Sequence, residues 1–298
     1  MLIVGALVVV AAFVTLAAQS SRIQSQTPPP QSPVTPASRV KESPGSATTN
    51  ELSASGAAAE RNAVLKTDLT WTFGGKTQHG WYLYDLLIRR TLDTQKESES
   101  ADFANALAAW QKKMGLNPNG VLDEAAFMAL VSQWQNSRLK DRTPAQPDQL
   151  LTPPASEFYD PERLAELRQV ERETYTAYKK MIAAAIADPT LDLAHTSKDE
   201  LAATEKYLKV ISAFRSREYQ EELRRKSPNA GSAGLAVNSP HFTGRALDLY
   251  VGGDPVDTRD SNRAIQVKSP AYKWLVRNAE RFGFRPYFYE PWHWEYVR

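Results

Sequence analysis

The stretch NSPHFTGRALDLYVGG, Asn238 to Gly253, decides how this chain reads. Its second half, ALDLYV, is strand-like. Alternation puts Leu247, Leu249 and Val251 on one face and Ala246, Asp248 and Tyr250 on the other. Asp248 therefore points away from the apolar face, beside the small Ala246, where a ligand has room. A carboxylate in such a run is costly unless something pairs with it. Arg215 and Arg245 are candidate ion-pair partners. His241 stands seven residues upstream, and a turn at Thr243-Gly244 can fold it back toward Asp248.

Two further clusters share the last third of the chain: ISAFRSREYQ, residues 211–220, and YEPWHWEYV, residues 289–297. The chain has no cysteine and only four histidines. Disulfides, thiolate metal sites and cysteine nucleophiles are thereby excluded, and a metal site must use histidines and carboxylates. His79 and His195 lie in polar surroundings without a notable partner and read as non-ligands. Histidine and aspartate suit zinc, and a catalytic zinc commonly has three protein ligands and a water. His293 completes the set with His241 and Asp248. Two glutamates flank His293. Strict alternation puts Glu295 on its face and Glu290 opposite, but Pro291 interrupts the alternation and can bring Glu290 round. Spacing leaves the choice between them open.

The combination S-x-H-x-x-G-x-A-x-D, then E-P-W-H-W, resembles the zinc D-alanyl-D-alanine carboxypeptidase family, which includes the vancomycin-resistance peptidases and shares its fold with the hedgehog signalling domain. ISAFRS resembles the family's S-G-Y-R-S segment, departing from it at Ala213 and Phe214. The likeness spans roughly residues 205–298, and its specificity lies in three clusters matching in order. It implies that His241, Asp248 and His293 bind zinc (Zn2+). It implies Glu290 as the general base and Arg215 as the group holding the oxyanion or the substrate carboxylate. Ser239 and Gln220 would line the substrate site, and Trp292 and Trp294 would shape its wall. The implied activity is removal of D-alanine from peptidoglycan stem peptides, with a peptidoglycan endopeptidase or a non-catalytic, zinc-containing wall-binding protein as alternatives. The implied fold is α+β: a small, mostly antiparallel sheet with flanking helices over residues 159–298.

The rest of the chain sets the context. With 298 residues there is room for about two domains. A net charge of only +2 makes no case for nucleic-acid binding. Leu2 to Ala18 is an uncharged apolar run, read with its flanks (residues 1–21) as a signal peptide or membrane anchor, which implies export to the periplasm or cell envelope. No cysteine follows it, so a lipoprotein anchor is excluded. Residues 22–62, rich in Pro, Ser and Thr, read as a disordered spacer. Residues 63–140 predict a small, mainly helical domain. A hairpin turns at Gly74-Gly75, and a helix carries Phe103, Ala106, Leu107, Trp110 and Met114 at helical spacing. Asp123 caps a second helix. Residues 101–135 resemble the small peptidoglycan-binding module, or else simply pack on a neighbour. Residues 141–158 read as a linker, and Asp160-Pro161 as the start of a long helix to about Ile186. The helix YKWLVRNAERFGF, 272–284, reads as scaffold ending at Gly283.

Overall fold

The computed structural model describes residues 45–196, 199–226 and 237–297, which fall within one compact unit. The apolar run Leu2–Ala18 and most of the proline-rich tract lie outside the described residues. Among the described residues, no helix is long and apolar enough to cross a membrane.

Helix α1 (Gly45–Asp68) begins inside the stretch predicted as spacer. Ser55, Ala58, Ala59, Asn62 and Leu65 are buried along it. Their spacing of three and four makes a helix face from small residues, which composition alone reads as linker. Asn62 donates to the Gly120 carbonyl at 2.9 Å and accepts from the Leu122 N–H at 2.7 Å. It thereby fastens α1 to the turn ahead of α4. Strands β1 (Thr70–Phe73) and β2 (Lys76–His79) form the expected hairpin across Gly74-Gly75. Helices α2 (Asp85–Thr91), α3 (Ala101–Lys113) and α4 (Glu124–Ser137) follow. Ser100 caps α3 and Asp123 caps α4.

Residues 141–158 are laid along the fold. Strand β3 (Leu150–Leu151) pairs antiparallel with β4 (Val170–Glu171), and the Ala145 N–H donates to the Phe242 carbonyl at 2.8 Å. The long helix predicted from Asp160 starts later. Helix α5 spans Arg172–Ile186 and is capped by Glu171, which accepts from Thr174 N–H at 2.8 Å. Residues 160–168 instead form turns and a short 3-10 helix. There the Arg168 guanidinium takes the carbonyls of Arg163 and Pro153. Leu164, inside the stretch predicted as helix, is exposed.

Four strands form the central sheet: β5 (Val210–Ser212), β6 (Ala246–Leu249), β7 (Phe284–Pro286) and β8 (His293–Tyr296), all antiparallel in the order β5-β6-β8-β7. Helices α6 (Arg217–Lys226), α7 (Asp260–Lys268) and α8 (Pro270–Asn278) accompany it. After α8 a 3-10 turn closes at Gly283, whose φ of 85° is left-handed. The architecture is α+β with small antiparallel sheets, as expected.

One core runs through both halves of this unit. Phe288, in the loop between β7 and β8, lies 4.8 Å from Phe73 and 5.8 Å from Trp134, ring centre to ring centre. Arg90 on α2 reaches the Val276 carbonyl and Glu280. Burying each such large apolar side chain contributes about 1.5–3 kcal/mol. The helical N-terminal part is therefore held firmly against the sheet.

Candidate active site

Asp248 and His293 are direct partners across the β6–β8 ladder. His241 arrives from outside the sheet, on a 3-10 turn (Pro240–Thr243). Gly244 reverses the chain into β6 with a φ of 66°. A Cβ there would stand 2.9 Å from the Glu171 nitrogen, so the close approach requires glycine. Ser239 caps this turn, accepting from the His241 N–H at 3.3 Å.

His241, Asp248 and His293 are all buried, and their candidate ligand atoms lie within 4.8 Å of one another. Asp248 Oδ1 is 2.9 Å from His293 Nδ1 and 3.3 Å from His241 Nε2. The outer nitrogens fix the tautomers. His241 Nδ1 is 2.6 Å from the Ala213 carbonyl and must donate to it. His293 Nε2 is 3.2 Å from Glu295 Oε1 and donates there. With both rings neutral, each would direct a bare nitrogen lone pair at Asp248 Oδ1. Two lone pairs and a carboxylate oxygen repel unless a cation or a proton sits among them. The His/Asp/His donor set with ordered outer partners suits a divalent ion of the zinc type. With the protein's own groups alone, the relieving proton belongs to His293. Burial opposes its charge, but Asp248 and Glu295 lift its pKa to about 9. Burial, seconded by Arg215, pushes His241 down to about 4. Asp248 is held well below the usual carboxylate range: burial works against it, but the two imidazoles and Arg215 prevail.

The bend at Pro291 separates the two glutamates. Glu290 sits in the loop before β8, with its Oε2 3.9 Å from His293 Nδ1, on the Asp248 side of the ring. Burial raises its pKa to about 8. Glu295 follows the strand alternation and lies behind His293, at Nε2, fully buried. Arg138 donates to it from Nη2 at 2.5 Å and from Nε at 3.1 Å, and the Leu139 N–H donates at 2.9 Å. Burial disfavours its charge, but His293, Arg138 and Arg142 keep its pKa far below normal. Glu290 faces the cleft with a carboxyl whose proton burial favours keeping, and Glu295 is a fixed anion behind the ring.

Arg215 donates from Nη2 to Asp248 Oδ2 at 2.6 Å and from Nε to Ser212 at 3.0 Å. The ion pair weighed for Asp248 therefore occupies one carboxylate oxygen, and the two histidines face the other. Gln220 is buried beside Arg215 Nη1 at 3.4 Å, steadying the guanidinium rather than lining the cleft. Ser239 and Trp292 do line it. Trp294 does not. Alternation sends it to the far face of β8, where its Nε1 donates to the Pro291 carbonyl and its ring packs on Tyr272. His79 and His195 are exposed and are not part of this group.

The cleft has a volume of about 590 Å³, within the range of small-molecule and peptide sites. Its wall includes Arg138, Arg142 and Arg163, which sequence reasoning missed. Arg163 Nε is tied to the Leu167 carbonyl at 3.0 Å, and no carboxylate among the described residues pairs with its guanidinium within 4.0 Å. Isolated arginines in turn and post-helix segments carry no local signal of where they converge.

Residues 167–298 match the family model VanY, D-alanyl-D-alanine carboxypeptidase. This domain belongs to that family. The matched range holds all three candidate metal ligands, Glu290 and Arg215. The VanY domain brings with it a peptidase chemistry directed at D-alanyl-D-alanine peptides of the cell wall. No curated protein shows a significant match to the chain.

Proposed function

We propose that this protein is a zinc-dependent carboxypeptidase that releases the terminal D-alanine from peptidoglycan stem peptides outside the cytoplasmic membrane. The observation that carries the proposal is the convergence of His293 Nδ1 and His241 Nε2 on one oxygen of Asp248, with the buried Glu290 beside them. When bound by His241, Asp248 and His293, zinc supplies a Lewis acid that lowers the pKa of water toward about 7 and polarises a carbonyl. Glu290 takes a proton from the attacking water as its oxygen bonds to the scissile carbonyl carbon. The same proton passes to the leaving amine as the C–N bond breaks, giving free D-alanine and a shortened peptide with a new carboxylate. Asp248 is kept from acting as a base by Arg215 and the histidines. Arg215, held by Ser212, offers its outer face to the developing oxyanion.

The open guanidinium of Arg163 favours a substrate that ends in a free carboxylate, hence a carboxypeptidase over an endopeptidase. Export by the apolar run Leu2–Ala18 brings the enzyme to such a substrate. Residues 101–135, if they touch peptidoglycan as their likeness implies, do so from within the same packed unit. The test compares a defined pentapeptide stem with its C-terminal amide and with cross-linked dimers. D-alanine release from the free acid, at least ~100-fold slower loss from the amide, and intact dimers are expected. Equal cleavage of amide and dimer would establish the endopeptidase instead.

A further inference from the structure

Glu295 has an unusual set of partners for a residue on the last strand. Its carboxylate is wholly buried, two residues beyond His293 on the same face of β8. Apart from His293, every cation that meets it among the described residues comes from far upstream, from the segment just after α4. Arg138 grips Oε1 with Nη2 and Nε, the Leu139 N–H binds Oε2, and Arg142 Nη1 stands 3.5 Å from Oε1. The Arg138 guanidinium also lies 3.9 Å over the Tyr287 ring, and that ring packs edge-on to His293 at 5.8 Å. Arg138, Leu139 and Arg142 all precede the family match at residue 167.

We infer that the segment Arg138–Arg142 is the outer support of the metal site. Glu295 accepts the His293 Nε2–H and thereby fixes Nδ1 as the free nitrogen facing Asp248. It can do so only while Arg138, Arg142 and the Leu139 N–H hold its charge in place. Arg138 is thus a positioning residue, acting on the metal ligand through Glu295. The helical N-terminal part supplies this support and belongs to the catalytic unit, in addition to whatever it does toward the cell wall. The inference rests on the zinc reading above and adds to it residues outside the family match.

The experiment uses the full chain and zinc alone as the probe. Zinc affinity is measured by competition with a chromophoric chelator, alongside a thermal melt, for wild type, Arg138→Ala, Arg138→Lys and Glu295→Gln. Outer partners of metal-bound histidines typically govern affinity by 10–100-fold. Arg138→Ala and Glu295→Gln are expected to weaken zinc binding by about that factor while still melting cooperatively. Arg138→Lys, which keeps the charge but not the two-pronged grip, is expected to fall between Arg138→Ala and wild type. Wild-type zinc affinity in folded Arg138→Ala or in Glu295→Gln overturns the inference. Should Arg138→Ala fail to fold, wild-type affinity in Arg138→Lys and Glu295→Gln overturns it equally. If the wild-type chain takes up no zinc, the reading of the site fails and this inference with it. If it binds zinc but releases no D-alanine, only the assigned reaction fails.

Discussion

Asp248 divides its work between its two oxygens. Oδ1 faces the two histidines, and Oδ2 neutralises the half-buried Arg215. Asp248→Asn should therefore lose zinc and also destabilise the metal-free protein, because Arg215 is left without its counter-charge. Removing one partner of a buried ion pair costs about 3–5 kcal/mol. A denaturant titration in the presence of a chelator measures this, and an unchanged midpoint would contradict it. His293 sets the pH response. Its pKa in the metal-free fold is raised from 6.5 to about 9, so its stabilisation is complete below 6.5 and lost as pH rises through about 9. Glu290, raised from 4.5 to about 8, acts in the same direction over its own window. Zinc needs the neutral imidazole, so its binding releases the His293 proton. The gap in melting temperature between zinc-loaded and chelated protein should accordingly widen from pH 6.5 to 9. A constant gap would exclude this assignment of the proton. The trio itself is legible in the sequence, because alternation and a single turn govern it. The choice between Glu290 and Glu295 is not, because it depends on the path of the chain through the loop at Pro291.

At the scale of elements, the site is one antiparallel strand pair plus one turn. The β6–β8 register places Asp248 opposite His293, and a slip of one residue would send both side chains to the other face. The Pro240–Thr243 turn adds His241 only because Gly244 accepts a left-handed backbone against the β4 backbone. Gly244→Ala meets both the strained φ and the contact with Glu171, and should cost at least about 1–2 kcal/mol. It should also weaken zinc binding, since His241 is displaced. Calorimetry with and without zinc checks both, and a variant matching wild type in each would show that the turn tolerates a side chain. The strands carrying Asp248 and His293, the hairpin and the cap at Asp123 are readable from local pattern. The late start of α5 and the helical path of 45–62 are not. In the first, arginine side chains capture carbonyls that a helix would use. In the second, a face of serine, alanine and asparagine carries little hydrophobic signal.

At the scale of the molecule, the helical part and the VanY domain share one core. Phe73, Tyr84 and Trp134 enclose Phe288, and Arg263 on α7 reaches the Tyr84 hydroxyl at 3.0 Å. Residues 45–297 should therefore unfold in a single transition, seen alike by tryptophan fluorescence and by far-ultraviolet dichroism. Two separated transitions would mean that the helical part is an independent module. Local sequence signals mark α3, α4 and α8, but the contacts joining the two halves are long-range and carry no short pattern. The same is true of the cleft, whose arginines come from segments far apart in the chain.

The most direct measurement is D-alanine release from a defined pentapeptide stem by wild type and by Glu290→Ala, each shown to hold zinc stoichiometrically, with and without a chelator. Wild type should release D-alanine, lose this activity with the chelator and regain it with added zinc. Glu290→Ala should keep its zinc and lose the activity by at least ~100-fold, in line with the removal of a general base. Release by Glu290→Ala at the wild-type rate, or by wild type stripped of its metal, would contradict the mechanism.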